Sequence, residues 1–264
     1  MRLTKYAIIP GLWLSLLTAT SCSGILSDIY DEPPTDEDLG QTTAGSLYLD
    51  ASDWTKWYYI DLPALKSASD ANPSFNPSSA WVAKDIPTQA VATPVGNAGI
   101  YTYWFDVFGQ GISVREFRSY TPTAVQEDPA SWTLAIHRNN ARTNGCAVAQ
   151  TEFTSVDDPR ITASYVASLS FEADSWNESD VWVIQDRMLQ GIIGCQGIEI
   201  NPTLSSWLDI RIPPMPPAFS LNNRVFIVRL PDGEHAALQL ENYKSPTGTN
   251  CCMTINYRYP LELK

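Results

Sequence analysis

Three methionines follow the initiator, and two of them occupy segments that do not look like core. Met188 lies in the turn-like run Gln185-Asp-Arg-Met-Leu-Gln-Gly191. Met215 is the one non-proline side chain inside Pro213-Pro-Met-Pro-Pro217. Prolines at that density exclude helix and central strand, so the spacing predicts a stiff, polyproline-like rod that holds Met215 out. A thioether is neutral and soft; as a metal ligand it favours ferrous over ferric iron and raises the reduction potential. The competing use is packing, because methionine commonly fills irregular gaps in cores. Met253 sits in the alternating run Met253-Thr-Ile-Asn-Tyr-Arg-Tyr259 and reads as core.

Other reactive side chains are few. The two histidines are His137 and His235, and no CxxC pair is present, which argues against zinc. His137 falls inside an apolar run and reads as a scaffold hydrogen-bonding group; His235 follows Asp232-Gly233 at a reversal and reads as exposed. No Gly-x-Ser-x-Gly elbow, HExxH or P-loop occurs, so the chain does not read as an enzyme. A carboxylate-pair glycosidase stays open, since sequence spacing does not give separation in space.

Cys22 has a different chemistry. A short basic start (Arg2, Lys5), an apolar stretch from Ala7 to Leu17 and the small residues Ala19-Thr20-Ser21 precede it. The apolar stretch is shorter than the roughly 20 residues of a spanning helix, so 1–21 reads as a lipoprotein signal peptide with Cys22 as the lipidated residue. Segment 22–45 contains Ser27-Asp-Ile-Tyr-Asp-Glu-Pro-Pro-Thr-Asp-Glu-Asp38 and reads as an acidic, flexible tether. It resembles the surface-export signals of some Gram-negative lipoproteins, which points to an outer-membrane protein exposed at the cell surface.

The formal charge of −12 argues against nucleic acid and anionic membrane as partners. Hydrophobic residues make up 44% and charged residues 17%, with 19 prolines and 9 tryptophans, the profile of a turn-rich globular chain. Beyond Cys22, Cys146, Cys195, Cys251 and Cys252 read either as buried thiols or as one disulfide from Cys146 or Cys195 to the vicinal pair.

The elements that must position these groups are strands. Strand-like runs fall at 46–49, 57–62, 100–108, 112–117, 132–138, 164–171 and 181–185. Arg224-Val-Phe-Ile-Val-Arg-Leu230, Pro231-Asp-Gly233 and Glu234-His-Ala-Ala-Leu-Gln-Leu240 form a hairpin pattern, with 253–259 as a third strand beside it. Long helical periodicity is absent, and 63–99 reads as surface excursions with at most one extra hairpin. The fold class is all-β, mostly antiparallel sheets.

The ordered set Trp57-Tyr-Tyr-Ile-Asp-Leu62, Trp132-Thr-Leu-Ala-Ile-His-Arg-Asn-Asn-Ala-Arg-Thr-Asn-Gly145, Leu204-Ser-Ser-Trp-Leu208 and Asn223-Arg-Val-Phe-Ile-Val-Arg229 through Tyr257-Arg-Tyr259 resembles the HmuY family of haem-binding bacterial lipoproteins. The resemblance implies a hand-like β fold over 46–264 with two protruding loops and an enlarged insertion at about 63–131. It implies one haem b as cargo, gripped between those loops with two axial side chains on the iron. In the segment of the second ligand this chain has Ile212 where histidine-type members place His, and Met215 in a Met-Pro-Pro context; Met188 fits the first loop. Trp182, Trp207 and Phe219 offer ring faces for a porphyrin. The implied role is a haemophore that takes haem from host haemoproteins and passes it to an outer-membrane receptor. The alternative is a surface lipoprotein that binds glycan, protein or another apolar ligand.

Overall fold

The structure, a computed structural model, describes residues 45–87, 101–106, 117–122, 125–185, 192–211 and 216–263; for 101–106, 117–122 and 192 it describes the backbone alone. The signal segment, Cys22 and the acidic tether up to residue 44 lie outside the described residues.

A strand whose residues are all apolar needs cover on both faces. After its first residue, Lys56–Ile60 is such a strand: Tyr58 and Ile60 face one core, while Trp57 and Tyr59 face another. It sits inside a four-stranded sheet in the order Val82–Asp85, Lys56–Ile60, Leu134–His137, Asn140–Thr143. Leu134 and Ile136 join the first core and Ala135 the second, as side chains alternate along the strand.

The first core is closed from its other side by a six-stranded sheet, ordered Ser46–Asp50, Asn250–Arg258, His235–Lys244, Val225–Arg229, Ala147–Gln150, Glu172–Ala173. Phe226, Val228, Leu238 and Met253 enter this core, and Met253 is fully buried as its alternating pattern predicts. The opposite face of the six-stranded sheet carries Val225, Ile227 and Ala237, covered by Phe153, Val156, Ile161 and Val166. Every strand pairing among the described residues is antiparallel. The hairpin at 224–240 forms with Val225 opposite Gln239 and Arg229 opposite His235. Gly233 turns it with a φ of 91°, a backbone region open to glycine at little cost.

Two expectations need correction, and a third falls mostly outside the described residues. Residues 164–171 are not a strand: Ala163–Ser168 is a short helix, capped by the Thr162 hydroxyl, which accepts the Tyr165 N–H. The local Thr-x-x-Tyr cap wins over an alternation that only six or seven residues support. Segment 63–99 is not irregular throughout, since Leu62–Ala71 is a helix started by Asp61 and Pro63. The Asp61 carboxylate accepts the Ala64 N–H, and Leu62 and Leu65 are buried beneath. Of 112–117, only Phe117 lies in a described element, the strand Phe117–Pro122, and the rest lies outside the described residues.

Among the described residues no disulfide joins the cysteines; Cys146, Cys195, Cys251 and Cys252 are all buried. Burial pushes the Cys146 and Cys252 thiols up to about 12.

Candidate functional site

Met188 and Met215 both lie outside the described residues. The strands on either side of each are described. Trp182–Ile184 pairs with Ile192–Gln196, so the chain between Ile184 and Ile192, which contains Met188, connects two antiparallel neighbours. Leu208–Arg211 pairs with Ala218–Leu221, and the chain between Arg211 and Ala218 contains Met215. Two hairpin pairs therefore carry the two methionine segments.

Both pairs border one open cavity of about 400 Å³. Trp182 lines it from the first pair, and Leu208, Asp209 and Ile210 line it from the second. Asn139 and Asn140, at the scaffold turn, and Asn177 and Asp180, just before Trp182, supply polar lining. A volume of this size lies within the range of small-molecule sites, which combine apolar walls with a few polar groups.

The first pair is fastened to the scaffold by buried polar groups. His137 is fully buried; its Nδ1 lies 2.9 Å from the Lys56 carbonyl oxygen and its Nε2 2.9 Å from that of Trp182. Burial lowers its pKa to about 4, against the pull of the two carbonyls, because a charged ring is costly in a dry interior. His137 is thus the scaffold anchor its position predicts. Beside it the Trp57 indole N–H donates to Gln196 Oε1 at 2.9 Å, and the Gln196 amide donates to Gln126 at 3.1 Å. Gly194 lets the two strands approach: a Cβ there would stand 2.7 Å from Ile184 Cβ.

The second pair is aimed by the linker before it. Asn201 caps the short helix Pro202–Ser205, accepting the Leu204 N–H, and its own N–H donates to the Ala141 carbonyl at 2.8 Å. The Ala141 N–H in turn donates to Ser205 Oγ at 2.9 Å. Trp207 is fully buried and its indole N–H donates to the Asn139 carbonyl at 2.9 Å.

That burial corrects one expectation: Trp207 is a core anchor beneath the cavity rather than an exposed ring face. Phe219 is also engaged elsewhere, stacked on Tyr243 with centroids 5.5 Å apart. His235 is half-buried rather than exposed: its ring meets that of Phe171, and its carbonyl accepts the Leu261 N–H. Trp182 remains the aromatic residue on the cavity wall. The sequence reading missed Trp54, which stacks on Trp182 at 6.1 Å, and Gln196, a single buried amide with no motif around it. Among the described residues no three His, Cys, Asp or Glu side chains converge as a metal site.

Comparison with known proteins gives consistent results. The family model described as HmuY protein matches residues 53–257. A protein of Bacteroides vulgatus, described as HmuY-like and heme-binding, is 26% identical, with 83% of this chain and 92% of its own covered and a TM-score of 0.55. A lipoprotein of Bacteroides fragilis is 25% identical, covering 87% of this chain and 100% of its own at a TM-score of 0.56. An apo HmuY analog of Tannerella forsythia is 18% identical, covers 82% and 95%, and has a TM-score of 0.55, a likeness of fold. The comparison with curated proteins gives no match.

Proposed function

Because the chain belongs to the HmuY family, we propose that it is a haem-binding lipoprotein, a haemophore that captures haem b and delivers it for uptake, with Met188 and Met215 as the axial ligands of the iron. One observation carries the reading. The two strand pairs that lead into the methionine segments border the same cavity, one through Trp182 and the other through Leu208, Asp209 and Ile210. Cofactor sites flanked by two chain reversals need that convergence, and 188 and 215 are far enough apart in sequence to serve opposite faces of one flat ligand.

Two neutral sulfur ligands would supply no charge, so they hold ferrous haem better than ferric. The protein's own part is to present the two side chains on a braced frame and to border the porphyrin with a mixed wall, in which Trp182, Leu208 and Ile210 stand among polar groups. Binding and transfer are the function, and weak enough iron–sulfur bonds allow release to a receptor. We assign Cys22 as the lipid-bearing residue and 22–45 as the tether, which would hold the domain at the outer membrane, with host haemoproteins as donors. The described similarity to a heme-binding protein and a lipoprotein supports both halves of this reading.

The test is a haemin titration of the purified chain followed by absorbance, with and without dithionite, in wild type, Met188→Ala and Met215→Ala. A low-spin ferrous spectrum in the wild type that is lost in both variants is the expected result. Wild-type protein that produces no Soret shift under reducing conditions would remove the haem reading and leave a binder of glycan, protein or another apolar ligand.

A further inference from the structure

Trp182 is held more firmly than an isolated surface tryptophan needs to be. Its indole N–H donates to the Ser179 carbonyl at 2.8 Å, and its backbone carbonyl faces the buried His137 ring at 2.9 Å. Trp54 stacks on it with ring planes 19° apart and centroids 6.1 Å apart, within the range of favourable offset pairs. On Trp54 in turn lies the Arg138 guanidinium, 4.2 Å from the ring centroid, with Nη1 donating to the Ser52 carbonyl at 2.9 Å. Arginine, indole and indole make a three-layer stack whose last member lines the cavity.

The arginine comes at a cost. His137 pairs with Asn140, so Arg138 and Asn139 are the two central residues of the hairpin turn, and Arg138 has a φ of 54°. That region suits glycine, and a side chain there costs on the order of 1 kcal/mol. A strained residue that is also the end of a stack points to a positioning role for its side chain.

We infer that Trp182 is the stacking wall for the flat ring of the ligand, held in place from behind by Trp54 and Arg138. The inference rests on the haem reading above and names the group that recognises the porphyrin independently of the iron. Arg138 is a positioning residue in this scheme; it acts on the ligand through Trp54 and Trp182.

The experiment is a titration of the full chain with haemin and with iron-free protoporphyrin IX, read by the Soret band and its induced circular dichroism. Protoporphyrin IX takes no axial ligand, so its binding reports the wall. Trp182→Leu should weaken both porphyrins about five- to tenfold, and Trp182→Tyr should keep most of the affinity. Arg138→Gly relieves the turn, so its melting temperature should hold or rise while porphyrin affinity falls about threefold, a combination that a purely structural residue would not give. Ser206→Trp, at an exposed position on the cavity lining, should block both ligands whether or not Trp182→Leu folds. Wild-type affinity in Trp182→Leu, or in Ser206→Trp, overturns the inference and leaves methionine ligation standing. A wild type that binds neither porphyrin overturns both the haem reading and this one.

Discussion

The His137 imidazole and the Trp182 carbonyl oxygen, 2.9 Å apart, join the scaffold to the strand pair that leads to Met188. The other ring nitrogen meets the Lys56 carbonyl, so one side chain bridges two backbone carbonyls. A neutral imidazole carries one N–H and satisfies one carbonyl; the imidazolium satisfies both but must lose its hydration. Burial decides in favour of the neutral ring, with a pKa of about 4.

A pH dependence follows from that value. In the unfolded chain the histidine titrates near 6.5, so above about pH 6.5 it is neutral in both states and contributes no slope. As pH falls from about 6.5 towards 4 the unfolded chain takes up a proton that the native ring refuses. Stability should therefore drop in this window, by up to about 1.4 kcal/mol per pH unit from this residue. Urea unfolding at pH 7.5 and 5.0 measures it, and His137→Gln should be less stable at pH 7.5 yet show a shallower acid slope. An equal slope in the variant would assign the acid sensitivity to other groups.

Gly194 tests the packing of the same strand pair. A methyl group there meets Ile184 Cβ at 2.7 Å, a contact that only movement of the backbone relieves. Gly194→Ala should cost about 1–3 kcal/mol, and amide exchange along Ile192–Gln196 should quicken. Combined with Ile184→Gly, the loss should be smaller than the sum of the two single changes, because the second removes the atom the first strikes. Strict additivity would mean that the strands do not approach as described.

Trp207 separates core from site. Its ring is fully buried and its N–H serves the Asn139 carbonyl, so Trp207→Phe leaves a void and an unpaired carbonyl. The expected loss is about 2 kcal/mol of stability, with porphyrin affinity within about twofold of wild type while the protein is folded. A selective fall in affinity at unchanged melting temperature would return Trp207 to the ligand.

These positions show what the sequence could and could not disclose. The hairpin at 224–240 was legible because Asp232-Gly233 marks the reversal between two apolar runs, although its second strand continues to Lys244. Trp57-Tyr-Tyr-Ile60 was legible as a strand, though not that its two faces feed separate cores. The helix Ala163–Ser168 was misread because six residues carry too little periodicity to outweigh an alternating look, and only its Thr162 cap betrayed it. The cavity was not legible at all: Asn139, Asp180 and Asp209 come from distant segments, and hydrogen bonds of His137 to the Trp182 carbonyl and of Asn201 and Ser205 to the Ala141 backbone tie those segments to one scaffold. Trp182 could be suspected as a ring face, but its backing by Trp54 and Arg138 depends on a turn with positive φ that no glycine announced.

The methionine ligation proposed above sets the last expectation apart from stability. Thioethers do not titrate, so affinity for reduced haem should stay within about twofold between pH 7.5 and 5.5, as long as the fold persists. Met215→His would exchange a group indifferent to protons for one that must shed a proton to bind, and affinity should then fall as pH drops below about 6.5. The change should also favour the ferric over the ferrous form, visible as a lower reduction potential of the bound haem. Because His137 is expected to lower stability in the same acid range, each affinity must be paired with a far-UV spectrum at the same pH. Loss of binding with an intact fold in the wild type at pH 5.5 would mean that a titrating side chain, not a thioether pair, holds the iron.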